Sequence, residues 1–135
     1  MVIDTSAILA ILQDEPERRA FNEAIEAAAS RSMSTATFVE TSIVIEARYG
    51  QEGVRNFDLL IAKAEIEVVP VDSEQANTAR GAYRRFGKGR HRAGLNLGDC
   101  FSYALAKVLD EPLLYKGDDF AHTDVRSVAL EPPEA

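Results

Sequence analysis

The chain has one cysteine, Cys100, and two histidines, His91 and His122. A lone cysteine excludes an intramolecular disulfide and fits a reducing, cytoplasmic setting. The histidines stand apart, without the spacing zinc ligands take, so no zinc site is expected. Cys100 has no histidine near it in sequence and reads as a small buried helix residue, not a nucleophile. Long apolar runs are missing as well: no uninterrupted stretch approaches the ~20 residues that cross a bilayer. The N-terminus lacks a basic region followed by an apolar stretch and cleavage site. Neither a membrane segment nor a secretory signal is expected. Internal repeats and low-complexity segments are also absent.

What is present describes an ordinary globular chain. Its 135 residues suit one domain, 1–135, and its 46% apolar and 27% charged fractions can build a real core. A net charge of -7 argues against coating nucleic acid through bulk electrostatics. The charge is unevenly spread, however. Arg84, Arg85, Lys88, Arg90 and Arg92 lie together with His91 and no acid between them; setting those five aside leaves ten cations against 22 acids, or -12.

The periodicity predicts alternating strands and helices. Val2-Ile3 forms a short buried strand whose C-terminal end presents Asp4, and Thr5-Ser6 can cap the helix through Leu12. A second helix is expected over Glu17–Ala29 and a brief strand over Arg31–Ser34. A third helix runs to Tyr49, where Gly50 ends it, and a fourth covers Gly53–Ala64. Ile66–Val71 is the clearest strand, and Asp72-Ser73-Glu74-Gln75 reads as a capping box opening a helix to Phe86. The glycine-rich basic loop Gly87–Gly94 follows, then a helix from its Asn96 cap to Leu109. Strands are expected at Pro112–Tyr115 and Arg126–Leu130, with a frayed tail at 131–135. Strand–helix alternation implies parallel β-α units in a three-layer α/β/α sandwich.

Four acids stand out. Asp4 lies at a strand's C-terminal end, where open α/β sheets bind ligands. Glu40 shares a helical face with Ile43, Val44 and Ala47, which points it toward packed territory; the plainer account is a surface glutamate at the edge of a stripe. Asp99 falls in the first turn of its helix, where the dipole alone favours an acid by about 0.3–1 kcal/mol. Gly94, Asn96 and Gly98 around it also suggest a helix mouth approached closely by something else. Gly117-Asp118-Asp119-Phe120 could be a simple turn, but it too follows a strand on the same sheet edge. Two carboxylates ~4 Å apart cost about 4 kcal/mol at an effective dielectric of 20. Several such pairs exceed what a domain stable by about 5–15 kcal/mol tolerates. Protonation or a divalent cation must relieve them. An all-carboxylate set selects a hard ion, Mg²⁺ or Mn²⁺.

With these residues in hand, the sequence resembles a PIN-domain ribonuclease, and more closely the VapC-type toxins of bacterial type II toxin–antitoxin pairs. The likeness runs from Val-Ile-Asp-Thr-Ser-Ala at 2–7, through Glu40 and Leu-Asn-Leu-Gly-Asp-Cys at 95–100, to the Gly-Asp-Asp-Phe turn. It implies a PIN-like central five-stranded parallel sheet and a metal-dependent endonuclease acting on RNA. Dimerisation is implied too, as is a small antitoxin in the active-site groove. By position, Asp4 and Asp99 match the family's metal-binding aspartates, Glu40 its helical glutamate and Ser6 a small hydroxyl residue beside the metal. Many relatives place Asp or Asn where this chain has Gly117, so the fourth acidic role passes to Asp119, or failing that Asp118.

Hydrolysis of a phosphodiester then becomes the expected chemistry, with Asp4 and Asp99 ligating the cation, Glu40 and Asp119 holding its waters or a second metal, and Lys88, Arg90 and Arg92 binding the RNA backbone. The alternative is a non-catalytic RNA- or protein-binding module on the same fold, with Gly117 marking a degraded fourth position. A receiver-type domain is less apt, since Asp4 is not paired with a second acid. A haloacid-type phosphatase needs an acid where Ser6 stands.

Overall fold

The computed structural model describes residues 1–131; of the expected tail, 132–135 lie outside the described residues and Glu131 is exposed outside any element. The elements run β1 (Val2–Ile3), α1 (Thr5–Leu12), α2 (Arg18–Ala27), β2 (Ser32–Ser34), α3 (Thr35–Lys63), β3 (Glu67–Val69), α4 (Ser73–Phe86), α5 (Leu97–Leu109) and β4 (Leu113–Leu114), then a 3-10 turn at Phe120–His122. The strands pair in parallel in the order β3-β2-β1-β4, with Val2 opposite Ser32 on one side and Leu113 on the other. The chain therefore lays β2 and β3 on one side of β1 and crosses to the other for β4. That reversal puts a topological switch point between β1 and β4, the place where open α/β sheets form ligand crevices.

The expected fifth strand is the main departure. Among the described residues the sheet has four strands, and 126–130 contributes one bridge, Leu113 to Ser127. Two hydrogen bonds flank it, from the Leu113 amide to the Arg126 carbonyl (2.8 Å) and from the Val128 amide to the Leu113 carbonyl (3.0 Å). β4 is only two residues long before the chain leaves to form the Lys116–Asp119 segment, so its outer edge offers little ladder to extend.

Strand alternation divides the core between two layers of helices. Val2 and Leu113 pack with Phe86, Leu95, Tyr103 and Leu105 under α4 and α5. Ile3 and Leu114 pack with Ile8, Phe21, Met33 and Phe57 under α1, α2 and α3. Each such side chain contributes about 1.5–3 kcal/mol on full burial.

Several local expectations are refined. The two helices predicted over 35–64 form one assigned element, α3, broken at Gly50, whose φ of +66° and ψ of -157° leave helical geometry. A residue with a β-carbon pays for such a φ, so glycine sits at the kink. Asp72 caps α4 through the Gln75 amide at 2.8 Å, but the reciprocal arm of a capping box is missing: Gln75 Nε2 donates to the Pro70 carbonyl, and its buried Oε1 accepts from nothing among the described residues. α1 is capped by Asp4, not by Thr5 or Ser6, which are already helical.

Candidate active site

Asp4 ends β1 and begins α1. With φ -86° and ψ 159° it takes the extended geometry of an N-cap, and its Oδ2 accepts from the Ser6 amide at 3.0 Å and the Ser6 hydroxyl at 2.7 Å. Its Oδ1 accepts from the Ser102 hydroxyl at 2.6 Å. Asp4 is only 3% exposed. Three donors satisfy oxygens that burial would otherwise strand without partners. Ser6 also accepts from the Lys116 amide at 2.9 Å, tying the end of β4 to the end of β1.

Glu40 lies half-buried on α3, its Oε1 accepting from the Thr5 hydroxyl at 2.7 Å. The predicted apolar face is corrected here. Ile43 is 62% exposed, and the buried stripe of α3 runs instead through Thr37, Thr41, Ile45 and Phe57. Glu40 borders that stripe and lies across Gly98, leaving no room there for a β-carbon.

Asp99 is both things the sequence allowed. It completes a true capping box at the start of α5, its amide donating to Asn96 Oδ1 at 2.9 Å and its Oδ2 accepting from the Asn96 amide at 3.0 Å. It also sits within the field of the other acids. Burial pushes its carboxyl up to about 7, against the lowering bond from Asn96, and the charges of Asp4, Asp119 and Glu40 raise it further. Asp118 and Asp119 are both exposed on the turn after β4, and it is Asp119 whose charge bears on Asp99.

The acids are thus neighbours without being tightly gathered. Among the described residues no three His, Cys, Asp or Glu side chains already surround one point as ligands. Nor does any of Asp4, Glu40, Asp99 or Asp119 form an ion pair among the described residues. The nearby Lys116 ammonium is engaged by Glu15 at 2.8 Å and Glu17 at 3.2 Å. Oxygen donors of one charge, with a proton already held on one of them near neutrality, suit a hard divalent cation.

Lys88, Arg90 and Arg92 are exposed on the loop between α4 and α5. Arg90 stands 5.9 Å over the Tyr83 ring, and Lys88 lines, with Asn96 and Leu97, a groove of about 520 Å³ between the two helices. Lys88 therefore reaches Asn96, the cap of the helix that carries Asp99. Cys100 is buried, and burial followed by the charge of Asp99 pushes its thiol up to about 11, consistent with a packing role.

Four hydroxyl residues near the acids carried no obvious signal in sequence: Thr5, Thr37, Thr41 and Ser102. Each is buried, and each belongs to a chain of hydrogen bonds ending on Asp4 or Glu40. The faint clue was their spacing, with Thr37 and Thr41 one turn apart around Glu40 and Ser102 three residues beyond Asp99.

The PIN domain family model matches residues 1–126. This chain belongs to the PIN domain family. The sequence is 58% identical over 130 residues to ribonuclease VapC30 of Mycobacterium tuberculosis, covering 96% of this chain and 99% of that one. The fold of this PIN domain matches a crystal structure of VapBC2 from Rickettsia felis bound to a DNA fragment from their promoter, with a TM-score of 0.75, 11% identity and coverage of 96% and 98%. It also matches a toxin–antitoxin complex from Klebsiella pneumoniae, with a TM-score of 0.66, 18% identity and coverage of 91% and 92%.

Proposed function

We propose that this PIN domain, 1–135, is a VapC-type toxin, an Mg²⁺- or Mn²⁺-dependent endoribonuclease held in check by a small antitoxin. The observation that carries the reading is electrostatic. Asp4, Glu40 and Asp119, from three separate places in the sequence, all bear on Asp99, and the Glu40 carboxylate lies against Gly98 beside it. Unrelieved, such a set weakens the fold; filled, it binds a phosphodiester.

In this reading Asp4 and Asp99 hold the cation, and Glu40 and Asp119 hold its waters or a second ion. When bound, the cation neutralises the phosphate and makes water acidic enough to attack it near neutral pH. Ser6 keeps Asp4 oriented and fixes it against the strand end that delivers Asp119. Lys88, Arg90 and Arg92 grip the RNA backbone, which a chain of net charge -7 needs in order to admit a polyanion at all. The resemblance implies 5′-phosphate and 3′-hydroxyl products. It also implies a homodimer, for which Val39, Ile43 and Leu97, all more than half exposed, supply unpartnered apolar surface. No helix among the described residues is long and apolar enough to cross a membrane. A cytoplasmic location accords with the reduced, buried Cys100.

The rival reading is a binding module with a degraded fourth acid at Gly117. The influence of Asp119 on Asp99 favours the enzyme, since the acidic role has a substitute two residues on. The test is cleavage of an RNA panel with added Mg²⁺ or Mn²⁺. Cleavage should occur and should vanish in Asp4→Ala and Asp99→Ala. Cleavage that survives both substitutions would refute the assignment, and intact RNA throughout, including total cellular RNA, would favour the binding module.

A further inference from the structure

Two buried hydroxyl relays converge on the acidic mouth, and neither belongs to the four acids. The first ends on Glu40: the Thr41 hydroxyl donates to Thr5 Oγ1 at 2.9 Å, and the Thr5 hydroxyl donates to Glu40 Oε1 at 2.7 Å. The second ends on Asp4, with the Ser102 hydroxyl donating to Oδ1 at 2.6 Å and lying 3.1 Å from the Thr37 hydroxyl. A hydroxyl has one proton to give. Ser102 has given its proton to Asp4, so Thr37 must be the donor in the remaining bond. Both relays therefore run the same way, from a threonine on α3 through a second hydroxyl to a carboxylate.

Their placement is unusual for helical hydroxyls. A threonine or serine inside a helix commonly bonds the carbonyl one turn back. Ser42 does so, donating to the Phe38 carbonyl at 2.7 Å. Thr37 and Thr41, one turn apart and essentially without exposure, point their protons across to α5 and α1 instead. Burying a hydroxyl is unfavourable unless its bond is well made, and a chain of such bonds strengthens each member.

The choice of donor has a consequence for charge. A lysine or arginine in these places would orient the acids equally well but would cancel their charge. Neutral hydroxyls orient without cancelling, so the negative potential survives for a cation. The Thr5 relay also occupies only Oε1 of Glu40, while the carboxylate lies over Gly98, beside Asp99.

We propose that Thr5 and Ser102 are positioning residues for the divalent cation, each oriented by an α3 threonine, Thr41 and Thr37 respectively. The proposal rests on the metal-dependent reading above and adds the residues that preset its ligands. It is tested by calorimetric titration of the metal-free full-length protein with Mn²⁺, alongside thermal melts. Thr5→Val removes the hydroxyl at nearly constant shape and should weaken Mn²⁺ binding about tenfold, as loss of a ligand's orienting partner typically does. Thr5→Ser keeps the hydroxyl and should restore it; Ser102→Ala should weaken it as Thr5→Val does. In a Glu40→Gln background Thr5→Val should cost nothing more, because the hydroxyl acts only through that carboxylate. Should Thr5→Val not fold, Thr41→Val takes its place, one bond further from the acid. Equal weakening by Thr5→Val and Thr5→Ser, or an undiminished loss in the Glu40→Gln background, overturns the proposal. Wild-type protein that takes up no Mn²⁺ brings down the metal reading itself. Wild-type binding left intact by Thr5→Val and Ser102→Ala brings down only the relays.

Discussion

Gly98 lies directly beneath the carboxylate of Glu40, and a β-carbon on Gly98 would overlap that group's carbon and both its oxygens. Two elements far apart in sequence, α3 and α5, thus meet through a missing side chain. Alanine gains up to about 1 kcal/mol over glycine inside a helix. Gly98 is in the first turn, however, and the new β-carbon must displace Glu40 from the buried Thr5 hydroxyl. Gly98→Ala should therefore leave the melting temperature unchanged or slightly lower. With Glu40 pushed off Thr5, both Mn²⁺ binding and RNA cleavage should fall by about tenfold or more. Titration and cleavage assays on Gly98→Ala check this. Full activity would mean that the position of Glu40 is irrelevant to the chemistry.

Asp99 makes the metal-free protein sensitive to pH in a definite direction. Its folded-state carboxyl sits at about 7 against an ordinary 3.8, raised first by burial and then by Asp4, Asp119 and Glu40. A raised carboxyl favours the protonated form in the folded state. The folded state therefore binds the proton more tightly, and this contribution is fully present below pH 4 and lost as pH rises toward 7. Asp99 is partly open to solvent, so the loss should be ~1–2 kcal/mol and not the full linkage value. Metal-free protein should then melt lower at pH 8 than at pH 5 through this group, and Mn²⁺ should recover most of the difference. Thermal melts of wild type and Asp99→Asn across this range decide it. A wild-type profile as flat as that of Asp99→Asn would contradict the assignment.

What the sequence made legible, and what it hid, follows from the range of the interactions involved. Asp4 and Asp99 could be found because each obeys a local rule: one follows a β-branched pair, the other stands three residues after an asparagine cap. Gly50 announced its kink for the same reason. Glu40 was found by a face argument whose details failed, since the stripe facing inward is Thr37, Thr41 and Ile45. Hydrophobic periodicity discounts buried threonines, and a stripe made partly of hydroxyls looks polar. Ser102 left only its spacing from Asp99 as a clue. Its role exists only because α5 packs beside β1, bringing residues 98 apart in sequence to 2.6 Å. The fifth strand erred the other way: Arg126–Leu130 makes only one bridge, Ser127 to Leu113, because β4 is two residues long and offers no further ladder.

The fourth acid can be assigned by substitution. Asp119 bears on Asp99, and its neighbour Asp118 is exposed on the same turn. Asp119→Asn should therefore lower cleavage by about 10–100-fold, in the range seen for removal of a supporting group at a metal site. Asp118→Asn should have little effect, and neither should change stability by more than about 0.5 kcal/mol, as befits exposed positions. Initial cleavage rates at saturating Mg²⁺, with melts as a control, separate the two. A larger loss for Asp118→Asn would reverse the assignment. Equal losses would point to the turn as a whole, with its charge and not one carboxylate as the active feature.

The basic loop offers a test of how so acidic a chain admits RNA. Arg90 is partly held over the Tyr83 ring and Lys88 lines the groove beside Asn96, so the loop leads from α4 directly to the mouth of α5. If these cations contact phosphates, each releases counterions on binding, and affinity falls with salt by about 0.7 logarithmic units per contact for a single strand. Replacing both Arg90 and Arg92 with alanine should weaken RNA binding by the Asp4→Asn protein and flatten its salt slope by about 1.4. Fluorescence anisotropy with labelled RNA over about 50–200 mM salt measures both quantities. Weaker binding at an unchanged slope would mean that the arginines shape the loop without touching the backbone. An unchanged affinity and slope would leave them as a solvated surface, and the cations that draw RNA toward Asp4 would have to be sought on α4, at Arg80, Arg84 or Arg85.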